Sequence, residues 1–212
     1  MVRTGTKPIA KPALVVGVAG IMGSGKSTVA RVFEDEGAKL IDADIVGREL
    51  LGEEKIREEI VGAFGRRVIK PGGEIDTAKL GRLAFRAPES ARELDRITRK
   101  ELIARLRSRI GALKASADVV VVDAALLPEW HPREWIDLLV VVDSDEESAI
   151  RRAASDPRFR ATDVRARMKH QFSRKDKARE ADVIIPNFGS LEDLKERART
   201  VFRTLLDVAG KE

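Results

Sequence analysis

Leu14-Val15-Val16-Gly17-Val18-Ala19 runs straight into Gly20-Ile21-Met22-Gly23-Ser24-Gly25-Lys26-Ser27, with Thr28 next. The opening residues are apolar and rich in Val, the pattern of a strand buried on both faces. The following stretch fits G-x-x-x-x-G-K-[ST], and a helix ending near Gly37 opens on it, which is the context a phosphate loop requires. Glycines let the backbone curl so that successive N–H groups face inward, and the helix N-terminus adds partial positive charge. Gly20, Gly23, Ser24 and Gly25 shape that cradle. Lys26 is placed to bridge the β- and γ-phosphates, the Ser27 hydroxyl to ligate Mg²⁺, and Thr28 to bond the α-phosphate. ATP with Mg²⁺ is the expected cofactor.

Further apolar runs that stop at Gly or Asp lie at Leu40 to Ile41, Val119 to Val122, Leu138 to Val142 and Val183 to Ile185. Each reads as another buried parallel strand. Between them come helical spacings, such as Ile56, Ile60 and Phe64, and then Leu102, Leu106, Ile110 and Leu113. Strand alternating with helix predicts an α/β fold, here a three-layer P-loop NTPase fold with a five-stranded parallel sheet. Ser144 with Glu147, and Ser190 with Asp193, are spaced as helix-starting capping pairs.

The long interval between the second and third strands holds helical patterns and a Pro71-Gly72-Gly73 turn, which reads as a helical insertion. The expected organisation is a flexible tail over 1–12 and one domain over 13–208. Its core takes 13–50 and 117–208, the insertion about 51–116, and a basic lid about 152–179.

Composition removes other classes. Of 212 residues, 43% are hydrophobic and 35% charged, which is globular, and no apolar run approaches the ~18 residues of a membrane span. There is no Cys, which excludes thiolate metal sites, and His131 and His170 are the only histidines, which disfavours a His-rich one. The net charge of +5 is small among so many charged groups and does not call for nucleic acid. The first dozen residues lack a signal-like apolar block, and a cytoplasmic location is expected.

A phosphate loop alone does not choose a reaction. No Asn-Lys-x-Asp stretch reads guanine. Val121-Val122-Asp123 ends the third strand with a carboxylate suited to Mg²⁺ through its waters, and no Glu follows it to activate a hydrolytic water. Transfer to a bound small molecule is therefore favoured over hydrolysis.

Ile41-Asp42-Ala43-Asp44 ends the second strand, and in such sheets the carboxyl ends of neighbouring strands face one crevice. Asp44 is the candidate to orient or deprotonate an attacking hydroxyl, with Asp42 as helix cap; a capping role for both is the plainer alternative. Arg48, one turn on, is either a surface residue or an anchor for an acidic group of the acceptor. Arg151, Arg152, Arg158 and Arg160 enter the Lys- and Arg-dense stretch after the fourth strand. Closing on the site, Arg152 and Arg158 would neutralise charge on the transferred group and exclude water. A solvated basic helix face explains the same residues. Asn187-Phe188-Gly189-Ser190 follows the fifth strand as an adenine-contacting turn or a simple strand-to-helix loop.

Taken in order, these motifs resemble the dephospho-coenzyme A kinase family from about Leu14 to Phe202. The resemblance rests on the phosphate loop, Ile41-Asp42-Ala43-Asp44 with Arg48, Gly73-Glu74-Ile75-Asp76 with Leu80 and Phe85, and Val122-Asp123-Ala124-Ala125-Leu126-Leu127 with Glu129. It continues through Arg152, Arg167-Met168 with Gln171, and Ala181-Asp182-Val183-Ile184-Ile185 with Asn187 and Gly189-Ser190. It implies transfer of the ATP γ-phosphoryl group to the 3′-hydroxyl of dephospho-coenzyme A, the last step of coenzyme A synthesis. The same likeness implies Asp44 near that hydroxyl and Leu126 among the acceptor-binding residues. The chain departs from the pattern on the acceptor side. Arg99-Lys100 stands where the family has His-Pro, Thr77 replaces an Arg, Ala125 a Pro and Pro128 a Phe. A related small-molecule or nucleotide kinase, and a nucleotide-sensing module without turnover, are the alternative readings.

Overall fold

The computed structural model describes residues 13–210, so the tail expected over 1–12 lies outside the described residues. Five strands form one parallel sheet in the order β2-β3-β1-β4-β5. They are β1 (Leu14–Ala19), β2 (Lys39–Asp42), β3 (Val119–Asp123), β4 (Leu138–Asp143) and β5 (Val183–Pro186). The expected α/β class is what the chain adopts. The strand carrying the phosphate loop is the central one, with β3 and β4 on either side. The register pairs Asp42 with Asp123, which puts the acidic ends of β2 and β3 side by side.

Alternation along β-branched strands divides the core. Val16, Val18, Val121 and Val140 face α1 (Lys26–Asp35) and α9 (Leu191–Ala209), where Phe33 and Phe202 meet with ring centroids 5.3 Å apart. Val15, Val120, Val122 and Val141 face the other way, onto Val46 of α2 (Ala43–Leu50) and Leu106 and Ile110 of α5 (Pro88–Leu113). Each large apolar side chain so buried contributes about 1.5–3 kcal/mol, and this double coverage explains near-continuous Val runs with no polar face.

A third cluster brings Leu50 and Ile97 together with α3 (Glu54–Phe64) and α4 (Thr77–Ala84) through Ile56, Ile60, Phe64, Leu80 and Ala84. The Pro71-Gly72-Gly73 turn is closed by an antiparallel bridge between Ile69 and Ile75. At 26 residues, α5 is long enough to serve both layers: its first half buries Ile97 in this cluster, its second half Leu106 and Ile110 on the sheet. A fourth, small cluster joins Ile150 and Ala153 of α6 (Glu146–Ala154) to Val164 of α7 (Ala161–Met168), with Met22 and Phe159 against them. The remaining helix, α8 (Arg174–Glu180), returns the chain to β5.

Two caps follow the spacing and one does not. Ser190 and Asp193 form a capping box on α9, and Asp42 caps α2 by accepting from the Asp44 and Ile45 amides. The cap of α6, however, is Asp145, which accepts from the Ser148 amide at 2.8 Å, and not Ser144. Both residues have a partner at the right offset; the carboxylate wins because an ionised acceptor makes the stronger bond to an N–H.

Candidate active site

At the carboxyl edge of the sheet, β1 turns into α1 through a loop that only glycine can trace. Gly23 has φ 80° and Gly25 has φ 99°, left-handed values costly for other residues. Space forbids a side chain as well: a Cβ at Gly23 would lie 2.0 Å from the Ala149 carbonyl oxygen, and one at Gly25 2.7 Å from the Asn187 amide nitrogen. The loop is thus wedged between α6 and the end of β5. Asn187, itself buried, donates to the Ser24 carbonyl at 2.7 Å. The carboxamide therefore faces the loop backbone.

Two further side chains hold the loop. Gln171 accepts from the Met22 amide at 3.2 Å, and Arg152 donates through Nε to the Gly23 carbonyl at 2.9 Å and through its other arm to Ser144. Arg152 belongs to the last turn of α6, ahead of α7 and α8. Ser24 is fully buried, and among the described residues its hydroxyl is the one buried side-chain polar atom with no hydrogen-bond partner. An orphaned polar atom costs about 1–3 kcal/mol, so its presence at the back of a donor-lined loop fits an anionic ligand there.

In front of the loop the Lys26 ammonium donates to Asp123 at 2.8 Å and to the Ser27 hydroxyl at 3.3 Å. A hydroxyl and a carboxylate thereby converge on one cation. Two hard oxygens of this kind suit Mg²⁺, which takes few protein ligands and fills its octahedron with phosphate oxygens and water. Among the described residues no three acidic or His side chains are grouped to hold a metal by themselves. Thr28 sits in the first turn of α1.

Asp44 lies exposed in the first turn of α2, beside the β2–β3 strand ends, with Arg48 one turn further along the same helix. Its charge acts on Arg158 and Arg167, which line a common cavity. Arg158 chelates Asp156 through Nε and Nη2, with Nη2 at 2.6 Å, and its guanidinium stands 5.5 Å from the Phe159 ring centroid. Arg167 is sandwiched between Phe85 at 4.7 Å and Phe159 at 5.1 Å. Burial pushes its guanidinium below the usual arginine range, against the pull of Asp44.

Leu126 is half-buried on the loop after β3, a segment locked by a residue the sequence reading passed over. Lys177 of α8 is 1% exposed and donates to the Ala125 carbonyl at 2.7 Å and to both Glu129 carboxylate oxygens, at 2.7 and 2.9 Å. Glu129 also accepts from the Phe172 amide, and Arg99 donates to its carbonyl. Burial pushes the Lys177 ammonium below the usual lysine range; Glu129 opposes that shift and the nearby Lys26 charge adds to it. Trp130 and Trp135 pack against the sheet–α5 core. On the far side, Arg174 grips Asp143 and covers the exposed Phe188 ring at 5.0 Å.

The site can therefore hold a triphosphate tail at the β1–α1 loop and present an acceptor from the α2–α7 side. The chain is similar to known proteins in sequence and in fold. A curated dephospho-CoA kinase of Carboxydothermus hydrogenoformans is 32% identical over 191 residues, covering 89% of this chain and 93% of the relative. That of Corynebacterium glutamicum is 35% identical, covering 91% and 98%. A solved Thermus thermophilus protein matches with TM-score 0.73 at 30% identity, over 92% of this chain and 98% of its own. The dephospho-CoA kinase of Campylobacter jejuni superposes with TM-score 0.60 at 22% identity over 90% and 96%, a likeness of fold. The family model described as dephospho-CoA kinase covers residues 14–193, from the first residue of β1 into α9, and so takes in the loop, Asp44, Asp123 and Asn187 together. On that breadth of agreement, the chain belongs to the dephospho-CoA kinase family.

Proposed function

We propose that this protein transfers the γ-phosphoryl group of ATP to the 3′-hydroxyl of dephospho-coenzyme A, giving coenzyme A and ADP. The observation that carries the reading is the convergence of Lys26, Ser27 and Asp123 before a glycine loop whose buried Ser24 hydroxyl lacks a protein partner. Phosphoryl transfer asks little covalent chemistry of a protein; it asks for charge neutralisation and alignment. Lys26 leaves Asp123 for the β- and γ-phosphates, and the inward amides of the loop neutralise the rest. Ser27 and Asp123 are the residues that would hold Mg²⁺, which would supply positive charge to offset the charge developing on the transferred group.

Asp44 orients the acceptor hydroxyl and takes its proton as the bond to phosphorus forms. Exposed in the first turn of α2, the carboxylate is open to the acceptor, as a general base must be. Arg48 and Leu126 contact the acceptor. Arg152, which donates to the Gly23 carbonyl, supports the loop and neutralises charge on the transferred group. Arg158 exchanges Asp156 for phosphate as the lid, about 152–179, closes and excludes water. Asn187 acts by fixing the loop backbone. A cytoplasmic location belongs to the same reading; no described helix is long and apolar enough to cross a membrane.

The test is a transfer assay with ATP, Mg²⁺ and either dephospho-coenzyme A or a panel of nucleoside monophosphates. Phosphorylation of dephospho-coenzyme A alone supports the reading; preferential phosphorylation of a monophosphate defeats it.

A further inference from the structure

A cavity of about 310 Å³ opens between α4 and the α6–α7 segment, lined by Gly81, Arg82, Phe85 and Arg86 on one wall and by Arg158, Phe159 and Arg167 on the other. Its charge is lopsided. This chain pairs its surface cations freely, with carboxylates three or four residues away along several helices. Yet among the described residues Arg82, Arg86 and Arg167 make no ion pair and no side-chain hydrogen bond, and the carboxylate on the lining is Asp163. Three guanidiniums without an ion pair stand around one cavity with a single carboxylate, Asp163, on its lining, an excess of positive charge that an anion would offset. A second cavity of about 290 Å³ shares Arg82 and runs on to Arg67 and Lys79, so the cationic surface is elongated.

The way Arg167 enters is built into the backbone of α4. Gly81 lies buried inside that helix without a positive φ, so helix geometry does not ask for glycine, and Ala would favour the helix by about 1 kcal/mol. What asks for it is the guanidinium: a Cβ at Gly81 would stand 2.0 Å from Arg167 Nη2. The missing side chain is a notch into which Arg167 fits, with Phe85 and Phe159 on its faces. Planar stacking leaves the edge N–H groups of the guanidinium available for bidentate bonding to phosphate.

We infer that Arg167, admitted by the Gly81 notch, and Arg82 and Arg86 form a specificity site for the 5′-diphosphate of the acceptor. This rests on the proposed acceptor, in which one ribose carries both the reacting 3′-hydroxyl and the 5′-diphosphate. Asp44 acts electrostatically on Arg167, and Arg82 lines both cavities, so an acceptor with its hydroxyl at Asp44 would direct its diphosphate to the first cavity and its remaining arm toward Arg67 in the second. Because the two walls come from α4 and from the α6–α7 segment, a bound diphosphate also ties them together. An acceptor lacking it forfeits that closure.

The experiment compares wild type with Gly81→Ala, Arg167→Lys and the double variant Arg82→Ala/Arg86→Ala. It measures KM for dephospho-coenzyme A, KM for ATP, the inhibition constant of adenosine as competitor of the acceptor, and Tm. Each variant should raise the acceptor KM about tenfold or more, the loss expected for charged hydrogen bonds to phosphate. The KM for ATP and the inhibition constant of adenosine, which has the 3′-hydroxyl and no phosphate, should move far less. Gly81→Ala should do this with Tm unchanged or higher, separating loss of the notch from loss of the fold. An unchanged acceptor KM, or an adenosine constant that rises in step with it, overturns the inference while leaving the proposed reaction standing. A wild type that does not phosphorylate dephospho-coenzyme A overturns both.

Discussion

Around the β1–α1 loop, Asn187, Gln171 and Arg152 reach in from three separate elements to bond main-chain atoms, and Lys26 already rests on Asp123. Across the crevice the guanidiniums of Arg82, Arg86 and Arg167 line a cavity with no carboxylate bonded to them. The first region is fixed before any ligand arrives; the second is left with charge to satisfy. Preorganised amides lose little on binding, so a fixed loop suits the charge-stabilising half of a transfer reaction. Charge held open in two walls suits the half that must recognise an acceptor and close on it. The difference teaches that substitutions on the two sides should fail in different ways.

The sharpest break is Lys26→Ala. Turnover should fall about a thousandfold, since the ammonium acts on charge that grows in the transition state. Because Asp123 is buried and loses its counter-ion, stability should fall too, by about 1–3 kcal/mol. Adding Asp123→Asn should return part of the stability and none of the turnover. Chemical denaturation of both variants beside the transfer assay checks it, and full recovery of activity in the double variant would refute the role given to Lys26. Next comes the lock beneath the Leu126 loop. Lys177→Met strands Glu129 in a nearly dry site and should cost about 3 kcal/mol or more in urea unfolding, whereas Lys177→Met/Glu129→Leu should cost clearly less. On the open side, Asp44→Asn should lower kcat about a hundredfold with little change in KM for ATP or in Tm, because the carboxylate is exposed and among the described residues makes no ion pair. A defect confined to the KM for ATP would move Asp44 to the other substrate.

How much of this was legible in the chain follows the same division. The loop, its strand and Asp42 as cap are local patterns, with every determinant inside Leu14 to Ser27 or within three residues of Asp42. The Val runs announced strands because burial on both faces leaves no polar register to hide them. What escaped depends on contacts far apart in sequence. Lys177 stands among basic neighbours and gives no local sign that it turns inward to Glu129; Gln171 meets Met22 from 149 residues away in sequence. Gly81 did leave a signal, a glycine inside a helical stretch where Ala is better, yet only the position of Arg167 explains it. Ser144 was misread because two candidate caps stand side by side, and the choice between hydroxyl and carboxylate is made by bond strength, not spacing.

The smallest expected effect tests the link between that cap and the loop. Asp145 is held below the usual aspartate range chiefly by the Ser148 amide, with Arg151 and Arg152 adding to it. A carboxyl whose folded value lies below its unfolded one of 3.8 stabilises the fold fully above that pH, and the contribution is lost as pH falls through the lower folded value. Asp145→Ala should therefore lower Tm at neutral pH and flatten the decline of Tm on the acid side, where wild type has already lost the same bond. α6 also carries Arg152 against Gly23, so a frayed first turn loosens Ser144 and, through it, one brace of the phosphate loop. KM for ATP should rise a few-fold in the variant, and the acceptor KM should stay near its wild-type value. Equal rises in both would mean that α6 supports the crevice as a whole, and the contrast between a pinned side and an open side would have to be given up at this helix.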